Sequence, residues 1–204
     1  MTDILELADE LIAWARASGA DTTSRISRGA PSARSVESVR ALHPQLAELY
    51  VGSNGVSVVW EQADKFGVFS IPTAMRLVRL ATESRGMRAD WTDDEVSAAV
   101  RRADWPPLLP LFRSLVDFHD EGNGDSVCVS SLDGKCYFLA HDWMDWISDD
   151  LPLFQVAESV EDFYRGWATV RFAPPKDHWW MNTLADGRFA GFTQEYFCGR
   201  SATC

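Results

Sequence analysis

Apolar residues recur at helical spacing near the start of the chain. Ile4, Leu7, Ala8, Leu11, Ile12 and Ala15 fall on one face, the stripe of a helix that lies on a core. Thr2 or Asp3 is placed to cap it, and Gly19 to end it. Residues 20–34 have no periodicity and are rich in Ser, Thr, Gly and Arg, which predicts a flexible linker carrying a weakly basic, solvated patch at Arg25, Arg28 and Arg34. A second helix is expected over 35–50, broken near Pro44, with Leu42, Leu46 and Leu49 inward. Gly52 and Asn54-Gly55 predict a tight turn. Val56–Trp60 and Phe66–Ile71 then alternate as a strand pair, and Pro72 opens a helix from Thr73 to Glu83 bearing Met75, Leu77, Val78 and Leu80.

Further on, Thr92-Asp93-Asp94-Glu95 matches a capping box for a helix stopped by Trp105-Pro106-Pro107. Three runs follow that predict an antiparallel meander: Phe112–Phe118, Asp125–Ser131 and Lys135–Ala140, the last two joined at Leu132-Asp133-Gly134. Residues 142–155 read as irregular. Ser159 caps a final helix to about Val170, with Val160, Phe163, Tyr164 and Trp167 on one face. The Pro-, Gly- and aromatic-rich stretch from Phe172 receives no assignment. Helices and strands come in blocks rather than strict alternation, so the expected class is α+β, an antiparallel or mixed β-sheet flanked by helices.

Composition narrows the picture. The 204 residues are 46% hydrophobic and 24% charged, the balance of an ordinary globular domain. No apolar run approaches the ~18 residues of a membrane span, and the acidic N-terminus does not have the pattern of a secretory signal, so a cytosolic protein is expected. The four Cys form no CxxC pair, and Cys128 and Cys136 read as buried free thiols. The net charge of −11 is unevenly spread. Between Asp90 and Asp162 there are 17 acidic and four basic residues, which leaves 13 acids and 15 bases elsewhere. A segment of net −13 repels nucleic acid and anionic membrane and attracts a basic partner.

Candidate chemistry concentrates at one end of the expected meander. His119, Asp120, Glu121, Asp125, His141 and Asp142 would meet there. A metal-dependent hydrolase using His119, Asp125 and His141 is the alternative these residues allow. Glu121–Asp125 resembles a calcium loop but has Ser126 where Gly is required and Leu132 where the bidentate Glu belongs. No nucleophile elbow or phosphate-binding glycine loop occurs, so no catalytic residue and no cofactor is assigned. The loop carrying Asp142, Trp143, Asp145, Trp146, Asp149 and Asp150 has aromatic area for affinity and carboxylates for steering. With Asp120, Glu121 and Asp125 it forms the expected partner-binding surface. A scaffold whose acids only maintain solubility is a further alternative.

Three passages resemble the SUKH superfamily, which includes a yeast cell-wall synthesis regulator and many bacterial immunity proteins. They are Leu46–Gly55, a helix running to an Asn-Gly pair before a strand; Leu109-Pro110-Leu111-Phe112 with Gly122–Val129; and the capped helix start Ala157–Phe163. His43-Pro44 stands where the family's Leu-Pro is expected. The three passages span roughly 40–170, so the expected organisation is an N-terminal helix (1–19), a flexible linker (20–34), a SUKH-like α+β domain (35–171) that the resemblance implies, and a C-terminal extension (172–204) with no counterpart in the family. The resemblance also implies action by binding: a non-enzymatic immunity protein that neutralises a basic toxin, such as a nuclease, or a regulatory interaction module.

Overall fold

A computed structural model describes residues 3–63, 65–89, 109–120, 125–139 and 153–173. Its architecture is α+β, with two separate antiparallel sheets. The first half runs α1 (Ile4–Ser18), β1 (Asp21–Arg28), α2 (Ala33–Leu42), α3 (Pro44–Glu48), β2 (Ser53–Gln62), β3 (Lys65–Ile71) and α4 (Ala74–Ala89). After it come α5 (Leu109–Ser114), β4 (Leu115–Asp120), β5 (Ser126–Ser130), β6 (Cys136–Leu139), β7 (Leu153–Ala157) and α6 (Val160–Thr169). Strand orders are β1-β2-β3 and β4-β5-β6-β7.

The two amphipathic helices behave as their spacing predicts. In α1 the six apolar positions are all buried, Asp3 caps the start through Leu5 N–H, and Gly19 ends the helix at φ 75°. In α6 Val160, Phe163, Tyr164 and Trp167 are buried, and the Ser159 hydroxyl accepts from Asp162 N–H at 3.0 Å. The chain breaks between α2 and α3 at His43, as Pro44 requires. Leu46 and Leu49 are buried there, while Leu42 is half-buried. In α4 Leu77 faces the core, whereas Met75 is exposed.

Four expectations need correction. The segment 20–34 is not a linker, because Asp21–Arg28 forms β1 and pairs antiparallel with β2 from Asp21↔Glu61 to Arg28↔Ser53. Its side chains are largely exposed, as suits a polar edge strand. Asn54-Gly55 is not a turn but the start of β2: Asn54 Oδ1 accepts from Ala74 N–H at 3.1 Å and so caps α4. Gly55 sits at φ 109°, where an added Cβ would lie 3.2 Å from Thr73 N and 3.3 Å from Ile71 O. Phe112–Phe118 is split, helix to Ser114 and strand from Leu115. Part of 142–155 is a strand, β7, paired with β6. The Thr92 capping box lies outside the described residues.

The meander itself is present, with Leu115↔Ser130 to Asp120↔Ser126 and then Ser126↔Leu139 to Val129↔Cys136. A bulge falls between Asp117 and His119 and leaves Phe118 and His119 both against α6. Among the described residues no strand pairing connects the sheets; side chains do. Phe69 of β3 stacks on Phe172 with centroids 4.2 Å apart and meets Tyr164 edge-on at 5.9 Å. Phe118 of β4 meets Phe163 at 5.5 Å. The residues after α6 fold back on the first sheet. Val68 N–H donates to Phe172 O at 2.9 Å, and the Trp60 indole N–H donates to Arg171 O at 2.7 Å. Arg171 and Phe172 hold positive φ to make that return.

A second link is electrostatic. Arg88, near the end of α4, donates to the Asp117 carboxylate on β4 and to Leu115 O at 2.9 Å, and both charged side chains are buried. Burial opposes the charge on Arg88, but the hydrogen bond and charge of Asp117 outweigh it and raise its pKa. Cys128 lies opposite Asp117 in register, and burial pushes its thiol well up. Cys128 and Cys136 are buried free thiols, as expected.

Two variants test this frame. Arg88→Ala leaves a buried carboxylate without its partner and should destabilise the fold by about 3–5 kcal/mol, whereas Arg88→Met with Asp117→Leu should recover most of that loss; urea unfolding measures both. Gly67 lies opposite Trp60, where a Cβ would collide with the indole and sit 2.6 Å from Arg171 O. Gly67→Ala should therefore cost roughly 1–3 kcal/mol in the same assay.

Candidate functional site

Register places one end of the second sheet where the sequence expects it. Asp120 closes β4 opposite Ser126, and Asp125 immediately precedes β5. His119 is 8% exposed, its ring edge-on to Trp167 at 4.8 Å and tilted over Phe163 at 6.1 Å. Asp125 is buried at 7% exposure, so it does not present the open carboxylate that a partner surface needs. The side chain of Asp120 lies outside the described residues. So do Glu121, His141, Asp142, Trp143, Asp145, Trp146, Asp149 and Asp150. Among the described residues no group of three or more His, Cys, Asp or Glu is arranged to hold a metal ion.

A different site emerges from three helices. Ile4 and Leu7 of α1, Leu49 at the end of α3, and Val160 and Tyr164 of α6 floor an apolar hollow of about 320 Å³. All five side chains are largely buried, so the groove is part of the packed frame. Gln45 fixes its shape. Its Oε1 accepts from Val160 N–H at 2.9 Å, and its Nε2 donates to Gly134 O at 3.0 Å. One side chain thereby ties α3 both to the first turn of α6 and to the β5–β6 turn. Each end of the amide thus makes one of these bonds.

The rim is acidic. Glu48 and Glu161 flank the hollow, and a smaller hollow of about 130 Å³ continues past Leu49 to Asp3 and the exposed Val51. Asp3 is engaged with Leu5 N–H, and Glu161 with Arg165 at 2.8 Å. Glu48 is exposed and has no ion pair among the described residues. Among the described residues no Lys or Arg lines either hollow. Sequence reasoning identified α1 and α6 as amphipathic but not the gap where their first turns converge. The only signal for it is Glu48 and Glu161 beside otherwise inward-facing positions.

Another hollow, of about 480 Å³, lies between α4 and the β4 bulge and is lined by Arg76, Arg79, Glu83, Phe118 and His119. Arg79 pairs with Glu83 at 3.4 Å while both remain mostly exposed. The hollow's acid and nearest base are thus already paired with each other.

Behind α3, His43 is buried and its Nδ1 has no hydrogen-bond partner. Burial lowers its pKa below 6.5, only partly opposed by a hydrogen bond to the Ser130 backbone. No helix among the described residues is long and apolar enough to cross a membrane. Comparison with protein-family models, curated proteins and solved structures finds no match to this chain.

The His43 environment gives a pH dependence of known sign. The folded pKa lies below the unfolded value, so the unfolded chain binds the proton more readily between the two. The stability His43 contributes is complete above 6.5 and is lost as pH falls through the folded pKa. Thermal melts of wild type and His43→Gln across this range should diverge, the variant having the shallower acid-side decline. Parallel curves would show that His43 has no part in it.

Proposed function

We propose that this chain is a cytosolic, non-catalytic protein-binding domain of the SUKH kind, acting as an immunity protein that neutralises a basic toxin such as a nuclease. The observation that carries the reading is the charge distribution: net −13 between Asp90 and Asp162 on a chain otherwise close to neutral. A surface of that sign accelerates encounter with a basic protein and penalises acidic competitors. It also suits a partner whose own basic face binds phosphates, because carboxylates can occupy that face as a decoy. The α+β architecture is that of the expected domain class, and Ser159 caps α6 as the resemblance leads one to expect.

A further feature supports binding: the apolar groove with its carboxylate rim offers recognition area for a partner side chain.

The test is co-purification with proteins encoded beside this gene. A stable complex with a basic neighbour is expected, with affinity falling as salt rises. Asp145→Asn, Asp149→Asn and Asp150→Asn together should lower its association rate by about tenfold. Failure to recover any basic neighbour, or a complex indifferent to salt, defeats the proposal.

A further inference from the structure

We infer that the groove between α1, α3 and α6 is a docking site for an Arg or Lys side chain, with its adjacent apolar residue, from a partner protein. The inference rests on the protein-binding reading above and assigns that reading a specific anchor point. It uses none of the residues of the acidic, Trp-bearing segment 142–150.

The size and composition of the groove select the ligand. A volume of about 320 Å³ is at the lower end of small-molecule pockets, and suits one long side chain with a neighbour better than an extended cofactor. The floor is mostly apolar, with aliphatic Ile4, Leu7, Leu49 and Val160 beside the ring of Tyr164, so its affinity comes chiefly from covering apolar surface. The rim has Glu48 and Glu161, and among the described residues no Lys or Arg lines it. A carboxylate or phosphate would be repelled there.

A long aliphatic stem ending in a cation meets both demands. Its methylenes lie on the floor while the charged head reaches the rim. Glu48 has no ion pair among the described residues, so binding a cation there breaks no existing one. Glu161 already holds Arg165 at 2.8 Å, so the carboxylate that meets the incoming cation is that of Glu48. The exposed Val51 beside the continuing hollow offers apolar contact for the adjacent residue. Anchors of this kind, a long side chain in a preformed pocket with a polar rim, dominate many protein interfaces.

The experiment uses the full chain, ¹⁵N-labelled, and two synthetic peptides of equal length and leucine content, one alternating with Arg and the other with Glu. The Arg peptide is expected to shift the amides of Ile4, Leu7, Glu48, Leu49, Val160 and Glu161, and the Glu peptide to leave them in place. Glu48→Lys with Glu161→Lys should weaken Arg-peptide binding by about tenfold. The spectrum of that free variant reports whether it keeps its fold. Equal shifts with both peptides point to an apolar pocket blind to charge and overturn the inference. So do unchanged affinity in the double variant and shifts confined to β4–β6 or 141–150. That last result leaves the protein-binding reading standing. Failure of the co-purification with a groove that still takes the Arg peptide removes the toxin partner and keeps the site.

Discussion

Two sheets with no strand pairing between them among the described residues must be united by something else, and here it is a chain of aromatic rings centred on α6. Phe69 reaches it from the first sheet through Phe172 and Tyr164, and Phe118 from the second through Phe163. His119 closes the same cluster against Trp167. Each such pair adds roughly 0.5–1.5 kcal/mol beyond the area it buries, so several together are comparable to a small domain's net stability. Ring packing tolerates some sliding, whereas hydrogen bonds fix register. The return after α6 supplies that precision, with Arg171 O on the Trp60 indole and Phe172 O on Val68 N–H. The Arg88–Asp117 pair does the same on another side. Because burying both charges has its own cost, its main contribution is to the docking geometry of α4.

The groove follows from this arrangement. Once the aromatic cluster seats α6, its first turn comes to rest near α1 and α3, and Gln45 sets the spacing through two hydrogen bonds. Both helix starts are capped by their own side chains, Asp3 and Ser159, so their free amides are partly answered before any ligand arrives. What is left open is apolar floor and unspent carboxylate.

Much of this was legible wherever a segment carries its own pattern. The stripe of α1, the break at Pro44, the alternation of β2 and β3, the meander and the Ser159 cap are local signals, and the structure has them all. Where the local pattern is silent, tertiary pairing decided. Residues 21–28 have only Ile26 as a large apolar side chain, yet they pair with β2 because a sheet edge needs backbone groups more than hydrophobicity. Leu109–Ser114 is apolar like the strand that follows it, and a short apolar run does not distinguish helix from strand. Asn54-Gly55 carries turn chemistry, but here the Asn side chain serves a helix 20 residues away. The site was the least legible part, since Ile4, Gln45 and Val160 are joined only by folding. Asp125 shows the opposite error: an acid at a strand end reads as solvated, and this one is buried.

Charge along the chain and charge in space therefore give different maps. Counted by segment, Asp3 and Glu48 belong to the near-neutral remainder, and only Glu161 falls within the acidic block. Folded, these three carboxylates line two adjoining hollows that no Lys or Arg lines among the described residues. Repulsion between like charges opposes such convergence, and it is held by the Asp3 cap, the Glu161–Arg165 pair and the packing beneath. Glu48 alone has no compensating contact among the described residues. A cation docking at the groove as inferred above would pair with Glu48, and a protein surface supplies one with an aliphatic stem already attached. The acidic block would draw a basic partner in from a distance. In the proposed reading the groove, with fewer charges and an apolar floor, serves to retain it, because short-range contact slows dissociation more than it speeds encounter.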